Sequence, residues 1–271
     1  MKNKIIRITN YLKEAFITFN NNNVHMLPAN IAFFTLWSII PLVILWDIIE
    51  KFIPRIIGEN ISKSQSLTEI IDIGAFDYSL GEGSIFLLLL IIYLSSKPFM
   101  SIISASNYIY KIDDNSYIKT KLKSIVLSIL LMFTIMVLLI IPVLGEKIVN
   151  LVESSFTSVK IVDEAKIFKW PLTLIYLFVV ITIIYSFSPN KKIKVKYFLP
   201  GTVFVTICWL SATYAYAFYV NNLANYHKIY SSFTSVIILM IWIYLISYVL
   251  VIGLVINAAY FREKNNVETV G

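Results

Sequence analysis

Six long apolar runs alternate with polar segments along the chain. A helix of about 20 apolar residues crosses the roughly 30 Å hydrocarbon core of a bilayer, so runs of this kind indicate membrane spans. We therefore predict an all-α integral membrane protein, with residues 1–271 forming a single membrane domain that contains six transmembrane helices. The predicted spans are residues 29–49, 85–110, 122–144, 170–187, 199–219 and 233–260.

A shorter amphipathic segment, residues 4–19, precedes the first span. Its basic side chains lie off the apolar face, and the segment is too polar to cross the bilayer. This pattern predicts an N-terminal helix in the plane of the membrane surface. The alternative is a helix that faces water and packs on the bundle. Asn20–Asn23 should end this helix, and Pro28 should start the first span, because proline suits a first helical turn. The apolar face comprises Ile5, Ile8, Leu12, Ala15, Phe16 and Phe19.

The composition supports a membrane protein. Hydrophobic residues make up 58% of the 271 residues and charged residues 14%, and the mean hydropathy is +0.77. An ordinary soluble domain is about 45–50% apolar and about 25% charged. The single cysteine, Cys208, excludes an internal disulfide and a cysteine-cluster metal site. The net charge of +7 fits contact with anionic lipid headgroups. Because the basic residues lie at span ends, we expect membrane lipids and no nucleic acid as partners.

The distribution of lysine and arginine predicts the orientation. Cytoplasmic segments carry an excess of these residues, and the excess lies in the two terminal tails and in the loops after the second and fourth predicted spans. We therefore expect a bacterial inner (cell) membrane protein with both termini in the cytoplasm. The basic residues of this set are Lys2, Lys4, Arg7, Lys13, Lys111, Lys119, Lys121, Lys123, Lys191, Lys192, Lys194, Lys196, Arg262 and Lys264.

The sequence contains no recognisable catalytic or cofactor motif. HExxH, GxSxG, P-loop and GxGxxG patterns are all absent. His25 and His227 lie near span ends on opposite sides of the predicted membrane, so they cannot share a metal ion. We therefore predict a protein that is not an enzyme, with no catalytic residue, metal site or cofactor.

Lys97 is the most unusual residue of the second predicted span. It lies about 20 Å from either end of the span at 1.5 Å per residue, beyond what a lysine stem reaches by snorkelling. A charge at that depth costs about 2.5–3.5 kcal/mol on translocon scales, so Lys97 should face protein or water. The alternative is a helix that breaks at Lys97-Pro98 and leaves Lys97 near an interface. Ser101 and Ser104 continue its polar face.

The fifth predicted span carries a second polar stripe. Its residues alternate at spacings of four and three, which places them on one helical face. They either hydrogen-bond between helices or line a solvated path. We expect this stripe and the face of Lys97 to turn toward one interior, where an anionic ligand would pair with the lysine. The stripe comprises Thr202, Thr206, Trp209, Thr213 and Tyr216.

With the spans placed, the chain resembles the YihY/BrkB family of multi-pass bacterial membrane proteins over nearly its whole length. The family commonly has glycine where this chain has Ser231, and glutamate where it has Val255. The resemblance implies a membrane protein of unsettled activity, and some members carry the name of a ribonuclease. The resemblance also adds Asn257 to the candidate interior residues. The matching landmarks are Ala29, Ala32, Phe33, Phe34, Ser38, Pro41, Ser95, Ser96, Asn107, Tyr110, Pro200, Gly201, Trp209, Tyr219, Tyr230, Ser232, Trp242, Tyr244, Gly253 and Asn257.

These patterns favour a permease or exporter-like protein that handles a lipid or an anionic amphiphile. A cavity that opens on one side of the membrane and is lined by the two polar stripes would support transport. The alternative is a protein that does not transport and organises the envelope through lipid or protein contacts; a solidly packed bundle would support it. A membrane enzyme is the third class.

Overall fold

A computed structural model describes residues 11, 13–57, 84–113, 116–131, 133–134, 161–223 and 227–268. All regular structure within these residues is helical, which confirms the all-α prediction for them. A single 3-10 turn, Val195–Tyr197, precedes α7. The helices are α1 (residues 13–19), α2 (Asn22–Ile57), α3 (Ser84–Ser95), α4 (Lys97–Ile109), α5 (residues 117–131 and 133–134), α6 (Ile161–Phe187), α7 (Leu199–Leu223) and α8 (His227–Glu268).

Three segments of the described chain are long and apolar enough to cross a bilayer. They are Leu89–Ile109, Leu199–Tyr219 and Val236–Asn265, and Thr173–Phe187 forms a shorter apolar helix. These three segments and the shorter helix together overlap four of the six predicted spans. The predicted span 122–144 lies partly outside the described residues, so the count of six stays a prediction.

The first long helix begins earlier than the sequence suggested. α2 begins at Asn22, six residues before the proline expected to start it. The Asn21 side-chain oxygen accepts a hydrogen bond from the backbone N–H of Asn23 at 3.1 Å, which is the N-cap arrangement that satisfies a free amide of the first turn. Asn21 and not Pro28 therefore sets the start of the helix, and Pro28 lies buried inside it.

α8 is the central helix of the described fold. It packs against α2 and α7 along much of its length and against α4 near its C-terminal end. Its 42 residues extend about 63 Å at 1.5 Å per residue, so it continues well beyond a hydrocarbon core of about 30 Å. The residues that it buries most completely are Val251, Leu254, Val255, Ala258 and Ala259.

Arg262, near the end of α8, holds α1 against the bundle. Its guanidinium donates to the Glu14 carboxylate at 2.5 Å and to the Thr18 hydroxyl at 2.8 Å. It also donates to the Ile109 carbonyl at the end of α4, at 3.0 Å. One planar cation thus ties three helices together. We call this region of the molecule the α1 end.

α1 presents a mixed surface. Ala15 and Phe19 pack against the core, whereas Phe16 and Ile17 are 69% and 61% exposed. Residues 4–10 and Leu12 of the predicted helix lie outside the described residues. α1 therefore packs on the bundle with one face and exposes an apolar edge on another. Its location in the plane of the membrane stays a prediction.

Asn190 joins α4 to α5 at the α1 end. Its backbone N–H donates to the Asn107 side chain at 2.8 Å, and its side-chain amide donates to the Thr120 hydroxyl at 3.2 Å. The Lys123 ammonium donates to the Pro189 carbonyl at 2.8 Å. The start of α5 is thereby held beside the loop that precedes α7, and Lys121 lies against the middle of the α3–α4 segment.

Candidate functional site

The second apolar segment bends at Ser96, between α3 and α4. Pro98 has no N–H to donate to the Leu94 carbonyl four residues earlier, so the helix is interrupted just before it. The Ser95 hydroxyl donates to the Ile92 carbonyl at 3.0 Å, and the Ser96 hydroxyl donates to the Tyr93 carbonyl at 2.7 Å. The serines before the proline thus stabilise the bend from within the helix.

A lysine from α5 completes the bend. The Lys121 ammonium donates to the Tyr93 carbonyl at 3.0 Å and to the Ser96 hydroxyl at 2.7 Å. It also lies 3.6 Å from the centroid of the Tyr93 ring, within the range of a cation–π contact. Lys121 is only 7% exposed. Burial lowers the pKa of Lys121, because desolvation disfavours the charged ammonium, and the nearby Lys97 acts in the same direction while Tyr93 opposes it.

Lys97 lies on the other side of the same tyrosine. Its ammonium is 5.3 Å from the Tyr93 ring centroid and 5.8 Å from that of Phe34 on α2. Lys97 is half-buried. Its contacts are therefore with aromatic rings of α2 and α3, and the structure does not bring it into contact with the stripe of α7 among the described residues. The helix is interrupted at Ser96, next to the break that the alternative expected at Lys97-Pro98, and the location of Lys97 near an interface stays a prediction.

Polar side chains connect α6 and α7 to one face of α8. The Trp209 indole N–H donates to the Ile246 carbonyl at 2.9 Å, and the Tyr185 hydroxyl donates to the Leu250 carbonyl at 2.7 Å. The Asn257 side-chain oxygen accepts the Gly201 backbone N–H at 2.7 Å. Gly201 lies in the first turn of α7, where backbone N–H groups have no partner within the helix. Asn257 therefore caps α7 from the neighbouring helix.

Gly201 and Gly253 allow the backbones of α7 and α8 to pack closely where the two helices cross. A Cβ atom added to Gly201 would collide with the Gly253 carbonyl oxygen and would lie 2.6 Å from the Asn257 side chain. A Cβ atom added to Gly253 would collide with the Tyr185 hydroxyl and with Val205. Small residues at such crossings let backbones pack closely in membrane bundles. We call this crossing, together with the hydrogen bonds donated by Trp209 and Tyr185 and the one accepted by Asn257, the α8 clamp.

The predicted stripe of α7 divides into two halves. The Thr202 and Thr206 hydroxyls are buried and donate to carbonyls one turn earlier in their own helix, each at 2.8 Å. Thr213 is exposed and Tyr216 is half-buried. The Thr202 and Thr206 hydroxyls, which lie nearest the α8 clamp, thus have acceptors in their own helix and need no solvated path. Only the other half of the stripe, with Thr213 and Tyr216, borders open space.

The polar face of α4 that begins at Lys97 is likewise buried at one position and exposed at another. Ser101 is 8% exposed, whereas Ser104 is exposed. Asn257 is fully buried, and its side-chain N–H group has no hydrogen-bond partner. The candidate residues therefore lie in three places, which are the α3–α4 bend, the α8 clamp and the far half of α7.

A partly open cavity of about 370 Å³ lies between α7 and α8, on the part of each helix that is farther from the α8 clamp. Its lining is almost entirely apolar. The indole N–H of Trp242 is buried and has no partner, and the ring of Tyr216 lies 5.4 Å from that of Trp242. The cavity is lined by Ala212, Ala215, Tyr216, Tyr219, Ile238, Ile241, Trp242 and Leu245.

Lys121 and Tyr185 escaped the sequence reasoning. Lys121 was counted with the loop lysines, although Ser124 and Ser128 follow it at spacings of three and four and are likewise buried. That polar face of α5 was the available signal. Tyr185 belongs to none of the patterns described for the sequence, yet it is fully buried and donates a hydrogen bond to α8.

The described residues contain no group of three or more His, Cys, Asp or Glu side chains that could hold a metal ion. Val255, where relatives of the family pattern commonly have glutamate, is 1% exposed within the core. A carboxylate at that position would require a buried partner, and valine instead packs among Val251, Leu254 and Ala258.

Comparison with known proteins relates nearly the whole chain to bacterial membrane proteins. The model of the family described as Virulence factor BrkB matches residues 15–270. The "Putative ribonuclease-like protein YfkH" of Bacillus subtilis (strain 168) is 29% identical over 265 residues, covering 94% of this chain and 96% of that protein. A UPF0761 membrane protein of Xanthomonas campestris pv. campestris (strain B100) is 31% identical over 89 residues, covering 32% of this chain and 21% of that protein. No solved structure matches the chain.

Proposed function

This chain belongs to the Virulence factor BrkB family of membrane proteins, and we propose that it acts as a permease or exporter-like protein for a lipid or another amphiphile. The observation that carries the proposal is the cavity between α7 and α8. A cavity of about 370 Å³ falls within the range of about 300–1,000 Å³ that small-molecule sites occupy.

The chemistry of the cavity favours an amphiphile. Its apolar walls suit a hydrocarbon body. The indole N–H of Trp242, a lining residue, is buried and has no partner among the described residues, so the ring would have to shift before this N–H could donate to a polar oxygen of the ligand. Leaving a buried donor unsatisfied costs about 1–3 kcal/mol, so a ligand that accepts this hydrogen bond would recover that free energy. A ligand with a single ester, amide or hydroxyl oxygen beside an alkyl chain meets both requirements.

A cavity-filling substitution tests the proposal. We compare lipids and amphiphiles, by mass spectrometry, in cells with the gene deleted and in cells restored with wild type or with Ala212→Trp. If the cavity carries the substrate, one amphiphile should accumulate in the deletion strain and in the Ala212→Trp strain, and wild type should restore its level. The amount and thermal stability of the variant protein are measured in the same cells.

Ala217→Trp is the matched control, since Ala217 is exposed on α7 and does not line the cavity. It should restore the wild-type profile. A wild-type profile in the stably folded Ala212→Trp strain would contradict transport through this cavity. That result would favour the alternative of a protein that organises the envelope without transport, for which the tightly packed α8 clamp is the supporting observation.

We further propose that the α1 end is cytoplasmic. Lys111, Lys191, Lys192 and Lys194 are all exposed there, as the positive-inside rule requires of a cytoplasmic surface. A reporter that is active only in the cytoplasm should work when fused after Gly271 and fail when inserted near Ser64. Activity at Ser64 would reverse the proposed orientation.

The ribonuclease-like wording in the name of the Bacillus protein is not carried over to this chain. The sequence contains none of the hydrolase or nucleotide-binding motifs considered above, and we propose no enzymatic activity for it.

A further inference from the structure

Two positive charges converge on one side chain at the α3–α4 bend. The ammonium groups of Lys121 and Lys97 lie 3.6 Å and 5.3 Å from the centroid of the Tyr93 ring. Among the described residues, no carboxylate forms an ion pair with either group. Like charges brought together in a partly desolvated region repel each other. Within the described residues, the two lysines therefore have no anionic partner.

Lys121 retains donor capacity for such an anion. An ammonium group has three N–H donors, and Lys121 donates two of them, to the Tyr93 carbonyl and the Ser96 hydroxyl. Lys97 is half-buried; among the described residues it lies beside the rings of Phe34 and Tyr93 and hydrogen-bonds to the Tyr93 side chain. Lys97 can therefore bind an anion directly, while Lys121, held in place by the bend, strengthens the local positive potential.

The surface beside the two lysines is apolar and exposed. Leu90 and Leu94 precede Lys97 by seven and three residues, so the three side chains lie on one helical face. Leu90 is 45% and Leu94 is 37% exposed. Ile118 and Leu122 of α5, which flank Lys121 along the helix, are 71% and 60% exposed. A positive centre bordered by such a surface matches an anion that carries hydrocarbon chains.

Tyrosines mark the depth of this centre. Tyr93 is 41% and Tyr117 is 58% exposed, and their side chains hydrogen-bond to each other. Tyrosine is enriched at the headgroup level of membranes, where one end of the ring contacts hydrocarbon and the hydroxyl contacts polar groups. The bend therefore has the character of a membrane interface, where phosphate groups of lipids lie.

We propose that Lys97 binds the phosphate of an anionic phospholipid, with Lys121 adding to the positive potential, and that the acyl chains lie along Leu90, Leu94, Ile118 and Leu122. The site is formed by α3, α4 and α5, whereas the cavity of the proposed function lies between α7 and α8. The lipid site therefore stands independently of transport. A bound lipid would neutralise the lysine pair and brace α5 against the bend.

Lipid binding to the purified full-length protein tests the proposal. Native mass spectrometry from detergent measures the binding of phosphatidylglycerol, with phosphatidylcholine as the zwitterionic comparison. Wild type should prefer phosphatidylglycerol. A lysine near an anionic lipid contributes about 1 kcal/mol, so Lys97→Gln should weaken phosphatidylglycerol binding about fivefold and leave phosphatidylcholine binding unchanged. Lys121→Gln should weaken it further when the two substitutions are combined.

Lys192→Gln combined with Lys194→Gln is the matched control, since both lysines are exposed at the α1 end and the charge change equals that of the double variant. The control should bind phosphatidylglycerol as wild type does. Lys121 also holds the bend together, so Lys97→Gln is the decisive variant. Unchanged phosphatidylglycerol binding in Lys97→Gln, or an equal loss in the control, would overturn the proposal. Displacement of the lipid by millimolar inorganic phosphate would likewise overturn it, because the site would then recognise a free anion.

Discussion

Replacing Gly201 with alanine is expected to prevent α7 and α8 from closing to their native distance. The added Cβ would collide with a backbone atom, the carbonyl oxygen of Gly253, and would lie 2.6 Å from the Asn257 side chain. Because a backbone oxygen cannot move aside as a flexible side chain can, the helices must separate and the hydrogen bond between Asn257 and the Gly201 N–H must lengthen. We expect a loss of about 3 kcal/mol, at the upper end of the range for overpacked sites.

The measurement is thermal unfolding of the detergent-solubilised protein, followed by size-exclusion chromatography of the heated samples. Gly253→Ala should destabilise less than Gly201→Ala, since it meets mainly the side chains of Tyr185 and Val205. Ala217→Val adds volume at an exposed position of the same helix and should leave the midpoint unchanged. A Gly201→Ala protein as stable as wild type would mean that the close crossing is not required for the fold.

Asn257→Leu should produce the second largest effect. Leucine has the same branched skeleton as asparagine but larger terminal groups, so this substitution removes the acceptor of the Gly201 N–H and also crowds the contact between α7 and α8. That N–H is buried in the first turn of α7, and an unsatisfied buried donor costs about 1–3 kcal/mol. The loss should appear as a lower unfolding midpoint and as faster hydrogen exchange at the start of α7.

Asn30→Leu provides the comparison, because Asn30 is exposed on α2 and the chemical change is identical. Its unfolding midpoint should stay within error of wild type. Equal midpoints for Asn257→Leu and Asn30→Leu would show that the cap contributes nothing measurable, and the position of Asn257 would then need a reason other than stability.

The helical class and the principal boundaries could be predicted because they depend on local properties. The apolar runs predicted spans 199–219 and 233–260, and the structure has helices Leu199–Leu223 and His227–Glu268 over them. A break at Lys97-Pro98 was the alternative to a continuous second span, and the helix is interrupted at Ser96. The length of an apolar run and the missing N–H of a proline are properties of a short segment. They can therefore be predicted without knowing which helices pack against that segment.

The candidate site was less accessible to sequence reasoning. Periodicity places Thr202, Thr206, Thr213 and Tyr216 on one face of a helix, but it does not say how the neighbouring helix diverges along that face. The structure buries the first two, exposes Thr213 and opens a cavity at Tyr216. The threonine hydroxyls also donate hydrogen bonds to carbonyls of their own helix. The spacing of the threonines along the sequence does not predict this choice of acceptor.

The sequence by itself determined that the chain is helical, that its apolar segments suit a membrane, and that Pro98 interrupts one of them. Only the tertiary structure decided that Lys121 is buried in the bend while Lys97 remains half-exposed, and that Asn257 caps a helix 56 residues away in the chain. The physical reason is that helix formation and hydrophobic periodicity are properties of short segments, whereas the partner of a polar group is chosen by which helices pack together. A hydrogen bond between helices is made or lost when the distance between them changes by about a few tenths of an ångström. That distance is set by the glycines at the crossing of two helices and by no single segment of the sequence.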